Sequence, residues 1–151
     1  MASKVPLLSE EEQSALYLAV SEAVRHGQAV VGTDHLLLGI CQMAEGGAAA
    51  ILESLGVPRD RVRAVLEPEL GHGVGGTLSP ETLTSRSQQV MDHAASITVR
   101  LGSTSIGTEH LLLGLLLCEE GLAVDALRGL GITLDRVLIE GLGAVGGRVT
   151  A

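Results

Sequence analysis

The sequence predicts an all-α domain of eight helices, laid out as two tandem four-helix repeats related by a pseudo-two-fold axis. The first observation behind this is internal repetition, which sets the architecture wherever it occurs. A shift of 75 residues lays Gly32-Thr33-Asp34-His35-Leu36-Leu37-Leu38-Gly39 on Gly107-Thr108-Glu109-His110-Leu111-Leu112-Leu113-Gly114 with a single conservative change. The second is that the register holds without a gap. Glu45-Gly46 meets Glu120-Gly121, Leu55-Gly56 meets Leu130-Gly131, Asp60-Arg61-Val62 meets Asp135-Arg136-Val137, and upstream Val24-Arg25 and Gly27 meet Val99-Arg100 and Gly102. The third is composition. With one Tyr and no Phe or Trp, the core must be built from Leu, Val, Ile, Ala and Met, without the aromatic enrichment that strands usually show.

The first helix is predicted from about Ser9 to His26, stopped by Gly27, with Leu16, Val20, Ala23 and Val24 as its apolar stripe. Ser9-x-x-Glu12 at its start is a capping-box pattern. The second begins at Thr33, a good N-cap, and is apolar nearly all round through Met43, as a buried central element would be. Ala48 to Leu55 makes a short third helix ended by Gly56, and Pro58 opens a fourth lasting to about Leu70. The second copy gives helices at Thr84 to Leu101, Thr108 to Glu119, Leu122 to Arg128 and Thr133 to Leu142. Residues 1–151 thus read as one domain, with repeat one at about 8–70, a linker at 71–83 that is Gly-rich from Gly71 to Pro80, and repeat two at about 84–143. A copy whose central helix is apolar on every side cannot cover that helix alone, so the copies should pack on each other. A chain of 151 residues buries roughly 70% of its unfolded surface, enough for a self-sufficient core.

Several functions are disfavoured at once. The net charge is −8, the Arg residues are scattered and Lys4 is the only lysine, so the clustered basic footprint of a nucleic-acid partner is missing. Met1 to Pro6 lacks the apolar core of a signal peptide. The longest apolar run is broken by Gly114 and ends at Glu119, short of the roughly 20 residues a bilayer requires. Cys41 and Cys118 lie inside apolar runs and align with Leu116 and Met43, as small core residues of a reduced, cytoplasmic protein.

Gly71-His72-Gly73-Val74-Gly75-Gly76 satisfies the G-x-G-x-x-G expression, but it follows a helix where dinucleotide binding needs a preceding strand. No P-loop exists, and no cofactor is expected. His35 and His110 recur, yet positions i+3 and i+4 are Leu and Gly in both copies, so no metal site is expected and the rings read as structural. No nucleophile or second catalytic partner recurs with them, and an enzyme is not expected.

Asp34 and Glu109 are carboxylates in the first turn after a Thr, where they complement the helix dipole. Ser9 and Thr84 are likewise equivalent under the shift and also open helices. A helix N-terminus with a hydroxyl offers donors to an anion, and a nearby carboxylate offers an acceptor to a cation. Together the four suit a ligand bearing both signs.

Gly-Thr-Asp/Glu-His-Leu-Leu-Leu-Gly at 32–39 and 107–114, each copy followed by Glu-Gly and then Leu-Gly, resembles the signature of the Clp N-terminal domain. That domain is the substrate- and adaptor-docking module at the front of ClpC- and ClpA-type AAA+ unfoldases, and the likeness covers about residues 8–143. The resemblance implies a non-enzymatic module that binds protein substrates, adaptors or peptide-like ligands of a Clp-type protease system. It further implies recognition of phosphoarginine, with Ser9 and Thr84 at the phosphate and Asp34 and Glu109 at the guanidinium, and Leu8 and Leu83, where the family often has an aromatic, as an apolar docking surface. Ser85-Arg86 stands where the family often has Pro-Arg. No AAA+ module follows the second copy in this sequence: a complete chain is expected to be a stand-alone domain and a fragment the front of an unfoldase, so the module docks ligands as part of an unfoldase or competes for them as a free decoy, cyclic-peptide antibiotics included. The alternative is a structural docking partner of a chaperone hexamer. Two copies imply two unequal pockets, with the second expected to bind better.

Overall fold

The computed structural model describes residues 7–70 and 83–141. Repeat one contributes α1 (Glu10–Arg25), α2 (Thr33–Gln42), α3 (Gly47–Ser54) and α4 (Arg59–Leu66); repeat two contributes α5 (Ser85–Arg100), α6 (Thr108–Leu116), α7 (Leu122–Gly129) and α8 (Leu134–Arg136). The all-α class and the eight-helix, two-repeat plan are therefore present. Among the described residues no single helix is long and apolar enough to cross a membrane.

The core lies where α2 and α6 meet. Leu36, Leu37, Leu38 and Ile40 are fully buried, as are their counterparts Leu111, Leu112, Leu113 and Leu115. Each central helix is covered by the first helix of its own copy, and helices of the two copies close the rest, α3 on α6 and α4 on α7. The glycine that ends each eight-residue signature makes the first packing possible. A Cβ on Gly39 would fall on the carbonyl of Ala15 and within 2.9 Å of the Ala19 nitrogen, and one on Gly114 would stand 2.6 Å from the Val90 carbonyl. Helix backbones can approach this closely only where a side chain is missing.

Several boundaries depart from expectation. α2 and α6 stop at Gln42 and Leu116, before Met43 and Glu119. The fourth helix does not reach Leu70: with Pro68 in the chain, α4 ends at Leu66 and a 3-10 turn covers Glu67–Glu69. The eighth is three α-helical residues running into a π-helical turn, Val137–Gly141. Thr33 is the first helical residue and not the cap; Gly32 and Gly107 hold the cap positions. Their N–H groups donate to Nδ1 of His35 (2.9 Å) and His110 (2.8 Å). This is the structural role of the repeated histidine, and burial lowers the pKa of both rings against the pull of Asp34 and Glu109. The Gly71–Pro80 stretch and Leu142 lie outside the described residues.

The copies are also tied by pairing that no periodicity announces. β1 (Leu7–Leu8) runs parallel to β2 (Ser105–Ile106), with Leu8 opposite Ile106, and Leu83 bridges Val31 in the same sense. Under the 75-residue shift these are one pairing made twice. The segment entering each first helix thus pairs with the loop entering the other copy's second helix, and the linker expected through 83 ends in an ordered bridge.

Candidate functional site

This exchange builds two cavities, each from both copies. One, of about 400 Å³, is lined by Ser9, Glu11, Ser105, Gly107, Glu109 and His110, with the loop between α5 and β2. The other, of about 390 Å³, is lined by Gly32, Thr33, Asp34, Thr84, Ser85, Arg86 and Leu122. Either would admit a side-chain-sized ligand. Ser9 is thus brought together with Glu109, and Thr84 with Asp34. Each pocket therefore pairs a hydroxyl from one repeat with a carboxylate from the other.

The hydroxyls cap their helices. Ser9 Oγ accepts from the Glu12 N–H (3.0 Å) and Thr84 Oγ1 from the Ser87 N–H (3.1 Å). Their own N–H groups reach across the pseudo-axis, Ser9 to the Ile106 carbonyl (2.9 Å) and Thr84 to that of Val31 (3.1 Å). The second half of the expected capping box therefore does not form. Glu12 cannot take the Ser9 N–H, and its side chain is fully buried with neither oxygen hydrogen-bonded. Burial pushes this carboxyl well up, and the nearby Glu109 adds to the shift. Ser87, at the equivalent place in α5, is equally buried but satisfied, donating to the Val31 carbonyl (2.9 Å).

The carboxylates sit differently. Asp34 is half-buried, its Oδ1 3.6 Å from His35 Nδ1. Glu109 is 7% exposed and folds against the start of α3, where a Cβ on Gly47 would strike its carboxylate; in the other pocket that place belongs to Leu122. Leu8 and Leu83 are both half-buried, Leu83 against the core, and Leu7, next to Leu8, is 78% exposed.

Sequence reasoning passed over Glu11 and Arg86 as site residues. The 75-residue shift superposes them, and the geometry is matched. A Cβ on Gly46 would lie 2.8 Å from Glu11 Oε2 and 3.0 Å from Thr108 Oγ1; one on Gly121 would lie 3.2 Å from Arg86 Cδ and 3.5 Å from Thr33 Oγ1. One spot in the fold thus carries an acid in one pocket and a base in the other. Arg86 bonds Glu120 (3.0 Å), both groups being solvent-exposed. The cysteines are buried thiols, Cys41 pushed by burial up to about 12 and Cys118 also raised, so both stay protonated.

Comparison with known proteins gives one family. The profile described as the Clp repeat (R) N-terminal domain matches residues 7–83 and again 82–145. The chain is 34% identical over 142 residues to the negative regulator of genetic competence ClpC/MecB of Bacillus subtilis, covering 94% of this chain and 17% of that protein. It thus spans about a sixth of that relative's length. In three dimensions it resembles the N-terminal domain of the chaperone ClpD of Arabidopsis thaliana, with a TM-score of 0.70 at 22% identity over 95% of this chain and 97% of that one. It also resembles a ClpV N-domain solved with a VipB peptide, with a TM-score of 0.65 at 14% identity over 91% of each chain.

Proposed function

Because the chain belongs to the Clp repeat (R) N-terminal domain family, we propose that it is a non-catalytic binding module that docks protein substrates or adaptors of a Clp-type unfoldase, reading a phosphorylated arginine. The same binding makes a free copy a decoy for such ligands, cyclic-peptide antibiotics among them. The observation that carries the reading is the Thr84–Asp34 pocket. Around one α-helix N-terminus it gathers the Thr84 and Ser85 hydroxyls, the Arg86 cation and the Asp34 carboxylate. Phosphoarginine joins a dianionic phosphoryl group to a guanidinium. The phosphoryl oxygens fit the helix N–H groups and Arg86, which exchanges its exposed partner Glu120 for them, and the guanidinium fits Asp34. Peptide capture by a domain of this fold, the ClpV N-domain with its VipB peptide, supports the class of ligand.

Calorimetry with free phosphoarginine tests it. The wild type is expected to bind, Arg86→Glu to lose about tenfold or more, as befits one charge-assisted hydrogen bond, and Asp34→Ala to lose a similar amount. An absence of heat with the wild type removes the proposal.

A further inference from the structure

At equivalent places the two pockets carry opposite charge. α5 has no acidic residue in its first turn and presents Arg86 there, whereas α1 opens with Glu10, Glu11 and Glu12. Glu10 and Glu11 already complement the α1 dipole and repel any further anion, so the Ser9 side is a poor phosphate site. It is also short of positive charge. Glu11 lines the cavity with Glu109, and Glu12 lies at the foot of the same helix turn with no exposed surface and no hydrogen bond to either oxygen. A buried carboxyl in that condition wants a cation or a donor. Among the described residues no three His, Cys, Asp or Glu are grouped to hold a metal ion, and the cavity, at about 400 Å³, has room for an organic group.

We infer that the Ser9–Glu109 pocket takes an unphosphorylated arginine side chain of a bound protein, its guanidinium received by Glu109 and Glu11 and its charge compensating Glu12. A guanidinium offers five donors in a planar fork, which carboxylates receive bidentately, whereas an ammonium offers a point charge. The inference rests on the proposed reading that these pockets receive arginine-derived side chains, and it divides the labour between them. The Thr84–Asp34 pocket takes the phosphorylated residue and the Ser9–Glu109 pocket an unmodified one, so a substrate carrying both engages the module at two points.

Amide-resolved NMR titration of the whole chain tests this with three probes: N-acetylarginine amide, N-acetyllysine amide acetylated at the α-amine only, and phosphoarginine. The amides of Ala48, Gly107 and Glu109 should respond to the arginine probe at about tenfold lower concentration than to either other probe. Glu11 is exposed, so Glu11→Arg should fold normally, and it should reverse the preference toward phosphoarginine. Equal response of these amides to phosphoarginine and arginine overturns the inference. So does an equal response to the lysine probe, or a Glu11→Arg protein that keeps the wild-type preference. If phosphoarginine fails to move the Gly32, Asp34 and Ser87 amides while arginine still moves those of Gly107 and Glu109, the proposed function falls and the cation pocket stands.

Discussion

At the C-terminal end of the first helix, the two repeats solve one packing problem with different chemistry. In repeat one, Glu22 is 1% exposed and takes a hydrogen bond from Arg63 Nη2 (2.5 Å) and another from the Gln42 amide. His26 donates to the Glu22 carbonyl (2.8 Å), and Glu67 lies 3.4 Å from Arg63. In repeat two the places of Glu22, His26, Gln42 and Arg63 hold Ile97, Leu101, Leu117 and Leu138, the last two 38% and 47% exposed. Equivalent positions of the two repeats thus hold a charged network in one and a set of aliphatic side chains in the other. Each is kept as a complete set, since a buried ion pair and an apolar substitute are often near equal, while half a pair leaves a charge stranded.

Breaking the set is expected to have the largest effect on stability. Arg63→Ala strands Glu22 and should cost about 2–4 kcal/mol in urea unfolding, toward the lower part of what a buried pair loses because the Arg63 side chain is 23% exposed. Transplanting the repeat-two set, Glu22→Ile with His26→Leu, Gln42→Leu and Arg63→Leu, should restore stability to within about 1 kcal/mol of the wild type. A transplant as damaged as the single variant would show the network to be required by the fold. Burial pushes the Glu22 carboxyl up, but the Arg63 hydrogen bond and charge outweigh it and leave the pKa lowered. The wild type therefore holds a stabilisation above the ordinary carboxylate value that fades as pH falls through the lowered one. The transplant should lack that acid-sensitive part.

The paired glycines sharpen the comparison at the next level. Gly39→Ala drives a methyl into the Ala15 carbonyl with the Ala19 nitrogen 2.9 Å away, whereas at Gly114 the nearest atoms are the Val90 carbonyl at 2.6 Å and the Ala94 nitrogen at 3.3 Å. Both should destabilise by about 1–3 kcal/mol, the usual cost of overpacking, with Gly39→Ala the worse. Equal melting temperatures for the two would mean that α1 and α5 yield alike and that the closer approach in repeat one has no energetic meaning.

Much of this was legible in the repeat. Glycine punctuation and the apolar central segments located the helices, and the 75-residue shift matched Ser9 with Thr84 and Asp34 with Glu109. Which hydroxyl meets which carboxylate was not legible, because the pairing depends on two-residue strands that cross between copies and leave no periodic trace. The same crossing spoiled the capping box, since Ile106 takes the Ser9 N–H that Glu12 was expected to bond. The reversal of charge between Glu11 and Arg86 was visible in the alignment of the copies. It acquired meaning only when both side chains were found against the equivalent glycines 46 and 121.

The smallest effect on stability tests the difference beneath the pockets. Glu12→Ser installs the repeat-two solution, a hydroxyl that can donate to the Ile106 carbonyl as Ser87 donates to that of Val31. It removes a buried carboxyl without partners and should stabilise by about 1–2 kcal/mol at pH 8. The sign with pH follows from the raised pKa of Glu12, caused by burial and then by Glu109. A carboxyl shifted upward by folding favours the folded state below its ordinary value of 4.5, and that contribution is lost as pH climbs to the raised value. The advantage of Glu12→Ser in thermal melts should therefore shrink as pH is lowered toward 4. A gain of the same size at both pH values would mean that Glu12 costs the fold through its shape and not through its charge, and the two copies would then differ here in packing alone.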